Sequence, residues 1–276
     1  MTAENVETWS GKSRTDENFP VGSALISRRL RPEIHAYYAF ARNADDIADS
    51  PDLAPDEKLR RLDVMQSVLL GTSETGSPSA LALRASLART GITPHHATDL
   101  LIAFRQDATK LRYETWDELL DYCRHSAMPV GRHVLALHSE SEAIFPPSDA
   151  LCSSLQILNH LQDIQKDFHE LNRCYLPQDL MDHSATGIAD IPTPAATPGM
   201  RRVIDTLLDH CDELNRTARA LPALVRDRRL RLETAVIVGL AERLAARLRR
   251  ADPLVARVKL TKPDAIAALL AALRYW

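Results

Sequence analysis

From Leu25 onwards, apolar residues return at intervals of three and four, and the pattern stops wherever Gly, Pro and Ser collect. This spacing predicts helices at about 24–49, 55–70, 78–89, 94–109, 115–138, 147–171, 200–221, 227–250 and 263–275. The breaks fall at 50–51, 71–78, 91–94, 145–148 and 182–199; the last, with Pro192, Pro194 and Pro198, is the expected surface loop. No strand alternation and no fixed-period repeat interrupts the helical reading. A single all-α domain over 18–276, preceded by a polar tail over 1–17, is therefore expected.

Composition supports this reading. Nine Gly in 276 residues, set against many Ala, Leu and Arg, favour helices over sheets. With 34 basic and 37 acidic residues the formal charge is −3, so no nucleic-acid partner is expected. Cys123, Cys152, Cys174 and Cys211 lack metal-ligand spacing and read as reduced thiols of a cytoplasmic protein. No signal-peptide core appears, and no apolar run approaches the roughly 18 residues of a membrane span. The C-terminal segment 264–276 carries Leu269, Leu270, Leu273 and Trp276. A core-packing helix is its ordinary reading; a helix lying on the inner-membrane surface is the alternative.

Two acidic stretches carry the candidate chemistry. In the first, Ile34, Tyr38, Arg42, Asp45 and Asp49 fall within roughly a quarter turn on a helical wheel, with Asp46 beside them. In the second, Gln156, Asn159, Asp163 and Asp167 form a polar stripe, about a third of a turn from the apolar stripe of Ile157, Leu161, Ile164 and Phe168. An isolated cluster of this kind is ordinarily a solvated acidic face. Two of them, each with polar or aromatic companions, suit diphosphate departure instead. Mg²⁺ takes oxygen ligands and commonly bridges one or two carboxylates to a phosphate. Left unpaired, such carboxylates repel one another, so a site poorly formed without metal is expected.

At these residues the chain resembles the squalene/phytoene synthase family of head-to-head isoprenoid synthases. The resemblance runs from about Asn18 to Lys262 and keeps the family's motif order. Asn18-Phe19 is followed by Tyr38, Arg42, Asp45-Asp46 and Asp49, then by Phe104-Arg105-Gln106-Asp107, Arg112-Tyr113 and Tyr122-Cys123. Gln156, Asn159, Asp163 and Asp167 come next, then Arg173-Cys174-Tyr175-Leu176-Pro177 and the basic segment 257–263. The resemblance implies a helical bundle around a central cavity. It implies Mg²⁺ and diphosphate held by Asp45, Asp46, Asp49, Asp163 and Asp167, with Arg42, Arg173 and Arg257 on the diphosphate oxygens. Asn18, Phe19, Gln156 and Asn159 would line the site, and Tyr38, Tyr122 and Tyr175 would face the reacting carbons.

Two departures narrow the branch. The family usually has Arg where this chain has Gln162, and small residues where it has Met128-Pro129 within 126–131. Together with Asn18-Phe19-Pro20-Val21, these features resemble the bacterial branch that makes hydroxysqualene on the way to squalene and hopanoids. That branch implies presqualene diphosphate as substrate and water capture of an allylic cation, with Tyr122 and His125 as candidate bases. A presqualene diphosphate synthase upstream and a squalene-forming oxidoreductase downstream would be its functional neighbours. The competing readings are a synthase condensing two allylic diphosphates, a catalytically silent binding subunit, and a head-to-tail prenyltransferase or terpene cyclase of similar design.

Overall fold

The computed structural model of the chain describes residues 5–7 and 27–276. Every regular element among them is helical: α1 (Arg31–Asp49), α2 (Pro55–Leu69), α3 (Pro78–Thr90), α4 (His95–Thr109), α5 (Trp116–Ser126), α6 (Met128–Leu137), α7 (Phe145–Gln162), α8 (Ile164–Leu171), α9 (Gln178–His183), α10 (Pro198–Ala218), α11 (Leu221–Leu224), α12 (Arg228–Arg250) and α13 (Lys262–Ala272). The all-α expectation holds. Asn18 and Phe19, expected to line the site, lie outside the described residues, as do Pro20 and Val21. The chain packs as two compact units, Met1–Lys110 with Arg132–Glu140, and Leu111–Gly131 with Ser141–Trp276.

In the first unit the helical period creates the core. Phe40, Ala44 and Ile47 of α1 meet Leu62 and Met65 of α2, Leu83 of α3, and Leu100 and Leu101 of α4, all fully or almost fully buried. Truncating one of the large members to Ala would cost about 2–5 kcal/mol, because the cavity adds to the lost transfer energy. Lys58 Nζ donates to the Ala48 carbonyl (2.7 Å), placing a cation at the negative end of the α1 dipole. At the start of α3, Glu7 Oε1 accepts from Ser79 N at 2.7 Å and from the Ser77 and Ser79 hydroxyls. Val6 is buried beside it, so part of the segment expected to be a polar tail is packed. His133 of α6 is buried and stacks on Tyr37 with ring centroids 3.9 Å apart.

In the second unit α7 packs on α10 and α12, and α12 carries α13 along its length. The irregular strand of chain before α5 is stitched to the segment before α9: Cys174 N donates to Leu111 O (3.0 Å) and Gln178 N to Tyr113 O (2.9 Å). The stretch expected to be a plain surface loop over 182–199 is anchored. Ile191 is fully buried, and Gln165 Nε2 donates to the carbonyls of Ile191 (3.1 Å) and Thr193 (2.8 Å).

Two predicted helices are each divided. The one over 115–138 breaks at Ala127, before Met128 and Pro129, since Pro lacks the N–H that a continuous helix would use. The one over 147–171 breaks at Asp163, whose φ of −110° and ψ of 14° leave the helical range. Its N–H still reaches Asn159 O (3.1 Å), and its carbonyl accepts from Asp167 N (2.8 Å), so the polar stripe keeps its register through the break.

Candidate active site

The first acidic motif sits at the C-terminal end of α1. Asp46 is buried, and Arg42 bridges it (2.5 Å) and Asp45 (3.0 Å), one helical turn away along the same face. Burial raises the Asp45 carboxyl well above its ordinary value; the neighbouring Asp49 adds to this, Arg42 opposes it, and Asp107 and Asp46 push in the same upward direction. About a third of the Asp45 side chain stays exposed (32%), so solvent tempers the effect without reversing it. Asp46, Asp49 and Asp107 thus all act on Asp45 against the single opposing charge of Arg42, an arrangement a divalent cation would relieve.

Asp107 belongs to the site by this electrostatic contact, although the sequence reading gave its motif no role. The signal was present: Leu100, Ala103 and Asp107 share the buried stripe of α4, so a carboxylate occupies a core register. Tyr38, on the same helix, is only half-buried, while Tyr37 is the one that turns inward. Its hydroxyl donates to His96 O (3.0 Å).

The second acidic motif lies at the junction of α7 and α8. Asp163 does not stand alone: Arg257 holds it as a fork, Nε to Oδ1 at 2.5 Å and Nη2 to Oδ2 at 2.8 Å. Gln162, next to it, is buried and donates from Nε2 to Val258 O (2.5 Å). Asp167 is half-buried one turn on; its carbonyl accepts from Arg173 N (3.1 Å). Asp45, Asp46 and Asp163 are thus paired, by Arg42 and Arg257, where unpaired carboxylates were expected. The repulsion expected among them persists around Asp45, whose acidic neighbours push its carboxyl up.

Beside this motif lies an aromatic cluster. Tyr113, Tyr122 and Tyr175 are all buried, with centroids 5.5–5.6 Å apart. His160 stacks on Tyr175 at 3.5 Å and meets Gln156 through a 3.2 Å contact to its Nε2. Burial, with Arg173 nearby, pushes the His160 imidazole down to about 3, so the ring is neutral. Arg173 is itself buried and donates from Nη1 to the Tyr175 hydroxyl (3.1 Å). Tyr122 and Tyr175, expected to face the reacting carbons, are thus neighbours in one buried cluster. Tyr113, quoted only as part of a motif, is the most deeply buried of the three. Asn159 is half-buried on α7 between Gln156 and Asp163.

No group of three or more His, Cys, Asp or Glu among the described residues converges tightly enough to hold a metal unaided. Mg²⁺ bound by one or two carboxylates and completed by substrate phosphate and water needs no such cage, so the donor set fits that ion. The four cysteines are free, with Cys123, Cys174 and Cys211 buried. Burial raises all three thiols, Cys211 to about 12, which leaves them protonated and inert.

Comparison with known proteins decides the family. The squalene/phytoene synthase model matches residues 12–264. The chain belongs to the squalene/phytoene synthase family. A hydroxysqualene synthase of Rhodopseudomonas palustris is 46% identical over 97% of this chain and 91% of its own. One from Sinorhizobium fredii is 48% identical over 89% of this chain and 84% of its own. A squalene synthase of Alicyclobacillus acidocaldarius, 34% identical, superposes with a TM-score of 0.75 over 86% of this chain and 90% of that one. This member of the squalene/phytoene synthase family is an isoprenoid synthase with a helical fold of the same type. No helix among its described residues is long and apolar enough to cross a membrane.

Proposed function

We propose that the chain converts presqualene diphosphate to hydroxysqualene and diphosphate. The carbon–oxygen bond to the diphosphate breaks with both electrons leaving on oxygen, the cyclopropylcarbinyl cation rearranges, and water adds to the allylic cation and loses a proton. The observation that carries this reading is the pairing of each acidic motif with its own arginine, Arg42 on Asp45 and Asp46, Arg257 on Asp163. A metal diphosphate supplies a partner for both halves of such a pair. The branch rests on the hydroxysqualene synthases at 46–48% identity.

When bound, Mg²⁺ would neutralise the charge developing on the departing diphosphate. Asp45, Asp46, Asp49, Asp163 and Asp167 would hold it. Arg42, Arg173 and Arg257 offer guanidinium forks that fit phosphate oxygens. Tyr122 and Tyr175 would supply aromatic rings that favour a passing cation, and the neutral His160 stacked on Tyr175 would add no charge to oppose one. Incubation with Mg²⁺ and either presqualene or farnesyl diphosphate, with and without NADPH, tests the reading by mass spectrometry of the products. Hydroxysqualene from the first substrate alone, indifferent to NADPH, is expected. Consumption of farnesyl diphosphate would keep the family and overturn the branch in favour of head-to-head condensation.

The substrate and product of this reaction are lipids, and we infer that the chain meets the membrane through α13. Ile266, Leu269, Leu270, Leu273 and Trp276 are 43–64% exposed, so the core-packing role is taken by the opposite face, where Ala268 and Ala272 are buried. Lys262, one turn before Ile266, and Arg274 are exposed at this face, and Arg228 lies over the Trp276 ring at 5.8 Å. An apolar strip edged with cations suits an anionic lipid surface. Flotation with anionic vesicles is expected to carry the wild type and leave Ile266→Glu/Leu270→Glu behind; a stable dimer in solution that buries this strip would contradict the inference.

A further inference from the structure

The most unusual polar contact in the second unit is made by the residue that departs from the family's usual Arg. Gln162 is 3% exposed, and its amide donates from Nε2 to the carbonyl of Val258, 96 residues further along the chain. Val258 is buried too, while its neighbours Arg257 and Lys259 are exposed. The segment 251–261 has no helix of its own, and it is tied down at intervals. Asp252 Oδ2 accepts from Ala196 N (2.7 Å), Leu254 is buried, and at the far end Thr261 and Asp264 form a capping box that Arg247 also engages. Between these ties, the Gln162 bond fixes the backbone one residue from Arg257. Arg257 is thereby delivered to Asp163, the residue next to Gln162 itself.

We propose that Gln162 is a positioning residue for Arg257. It pins the Val258 backbone so that the guanidinium can pass between two partners without its segment moving. The fork rests on Asp163, and Arg257 would offer its guanidinium to the oxygens of a metal diphosphate held at Asp163 from a backbone already in place. The loss of the charge usual at position 162 is thus offset by the fixing of a charge at 257. A side chain of fixed length on a pinned backbone gives up less freedom on binding than one on a mobile segment. This rests on the assignment of Asp163 and Arg257 to the metal diphosphate.

The test is calorimetric titration of Mg²⁺ with inorganic diphosphate into the full chain and into Gln162→Met, Arg257→Ala and the double variant. Gln162→Met keeps the volume and apolar fit of the buried site while removing the donor. It is expected to weaken diphosphate binding about tenfold, the ordinary scale of a lost buried hydrogen bond, and the double variant to bind no more weakly than Arg257→Ala alone. Hydrogen–deuterium exchange without ligand is expected to speed up within 253–260 of Gln162→Met and to stay unchanged in the tyrosine cluster. Gln162→Arg, which keeps a donor near the Val258 carbonyl, is expected to retain the affinity, and it serves as the second variant should Gln162→Met fold poorly. Wild-type affinity in Gln162→Met, losses that multiply in the double variant, or a tenfold loss in Gln162→Arg would overturn the proposal. A wild-type chain that binds no metal diphosphate would instead overturn the functional reading beneath it.

Discussion

Asp45 and Asp46 are adjacent in the chain, yet the fold gives them different surroundings. Asp46 is buried against Arg42, whereas Asp45 shares its space with Asp49 and Asp107, which together with burial raise its carboxyl. The sign for stability follows from proton binding. The folded state holds the Asp45 proton above the ordinary value of 3.8, so as pH rises past that value the unfolded chain releases it first and stability falls. Asp45→Asn removes this cost. It is expected to raise the melting temperature at pH 7 by about 2 °C while abolishing turnover, and the gain should shrink at pH 4; melting curves at both pH values with a turnover assay check it. The Tyr-Arg-Asp spacing was legible in the sequence because a helical wheel needs only local geometry. The contacts of Asp45 with Asp107 and of Asp163 with Arg257 were not, because Asp107 and Arg257 arrive from distant segments.

At the level of elements, the two internal breaks matter more than the helices they divide. The break before Pro129 starts α6 afresh and brings Gly131 against α7. A Cβ built there would stand 2.6 Å from Cys152 Sγ and 2.7 Å from Ser148 Oγ, so the two helices approach more closely than any other residue would allow. Gly131→Ala is expected to destabilise the fold by about 1–3 kcal/mol, the scale of an overpacked core, and denaturant unfolding measures it. Pro129, at the start of α6, was visible in the sequence, although one helix over 115–138 was expected. The break at Asp163 carries no Pro or Gly, so nothing local announced it. It is tertiary in origin: Gln162 and Asp163 on either side of the break both bond to the 257–258 segment.

For the molecule as a whole, charge self-compensation sets how it should respond to its ligand. Arg42 and Arg257 are each paired to carboxylates within their own unit; on the proposed function, neither metal nor diphosphate alone would satisfy both the carboxylates and the arginines. Mg²⁺ and diphosphate together are expected to raise the melting temperature, contributing about 2.7 kcal/mol when free ligand stands at roughly a hundred times its dissociation constant. Either component alone should shift it far less, and a chelator should return it to the starting value; thermal melts with each addition check this.

The chain by itself determined its helices and the order of its motifs. It also fixed the face of each helix that carries carboxylates, since a period of 3.6 residues is a property of the backbone and needs no partner. It likewise marked Gln162 and Met128-Pro129 as departures from a family pattern. Only the tertiary structure decided what those departures do. Gln162 proved to be a buried donor to a carbonyl, and Asp46 and Asp163 proved to be paired with arginines while Asp45 still feels its acidic neighbours. The apolar strip of α13 lies outward, because Gly239 and Ala268 let the small-residue face of that helix pack on α12 instead. Apart from Arg42 and Asp46, one turn apart on α1, the deciding contacts join residues far apart in sequence, where the energy depends on which groups meet and no local spacing can encode it.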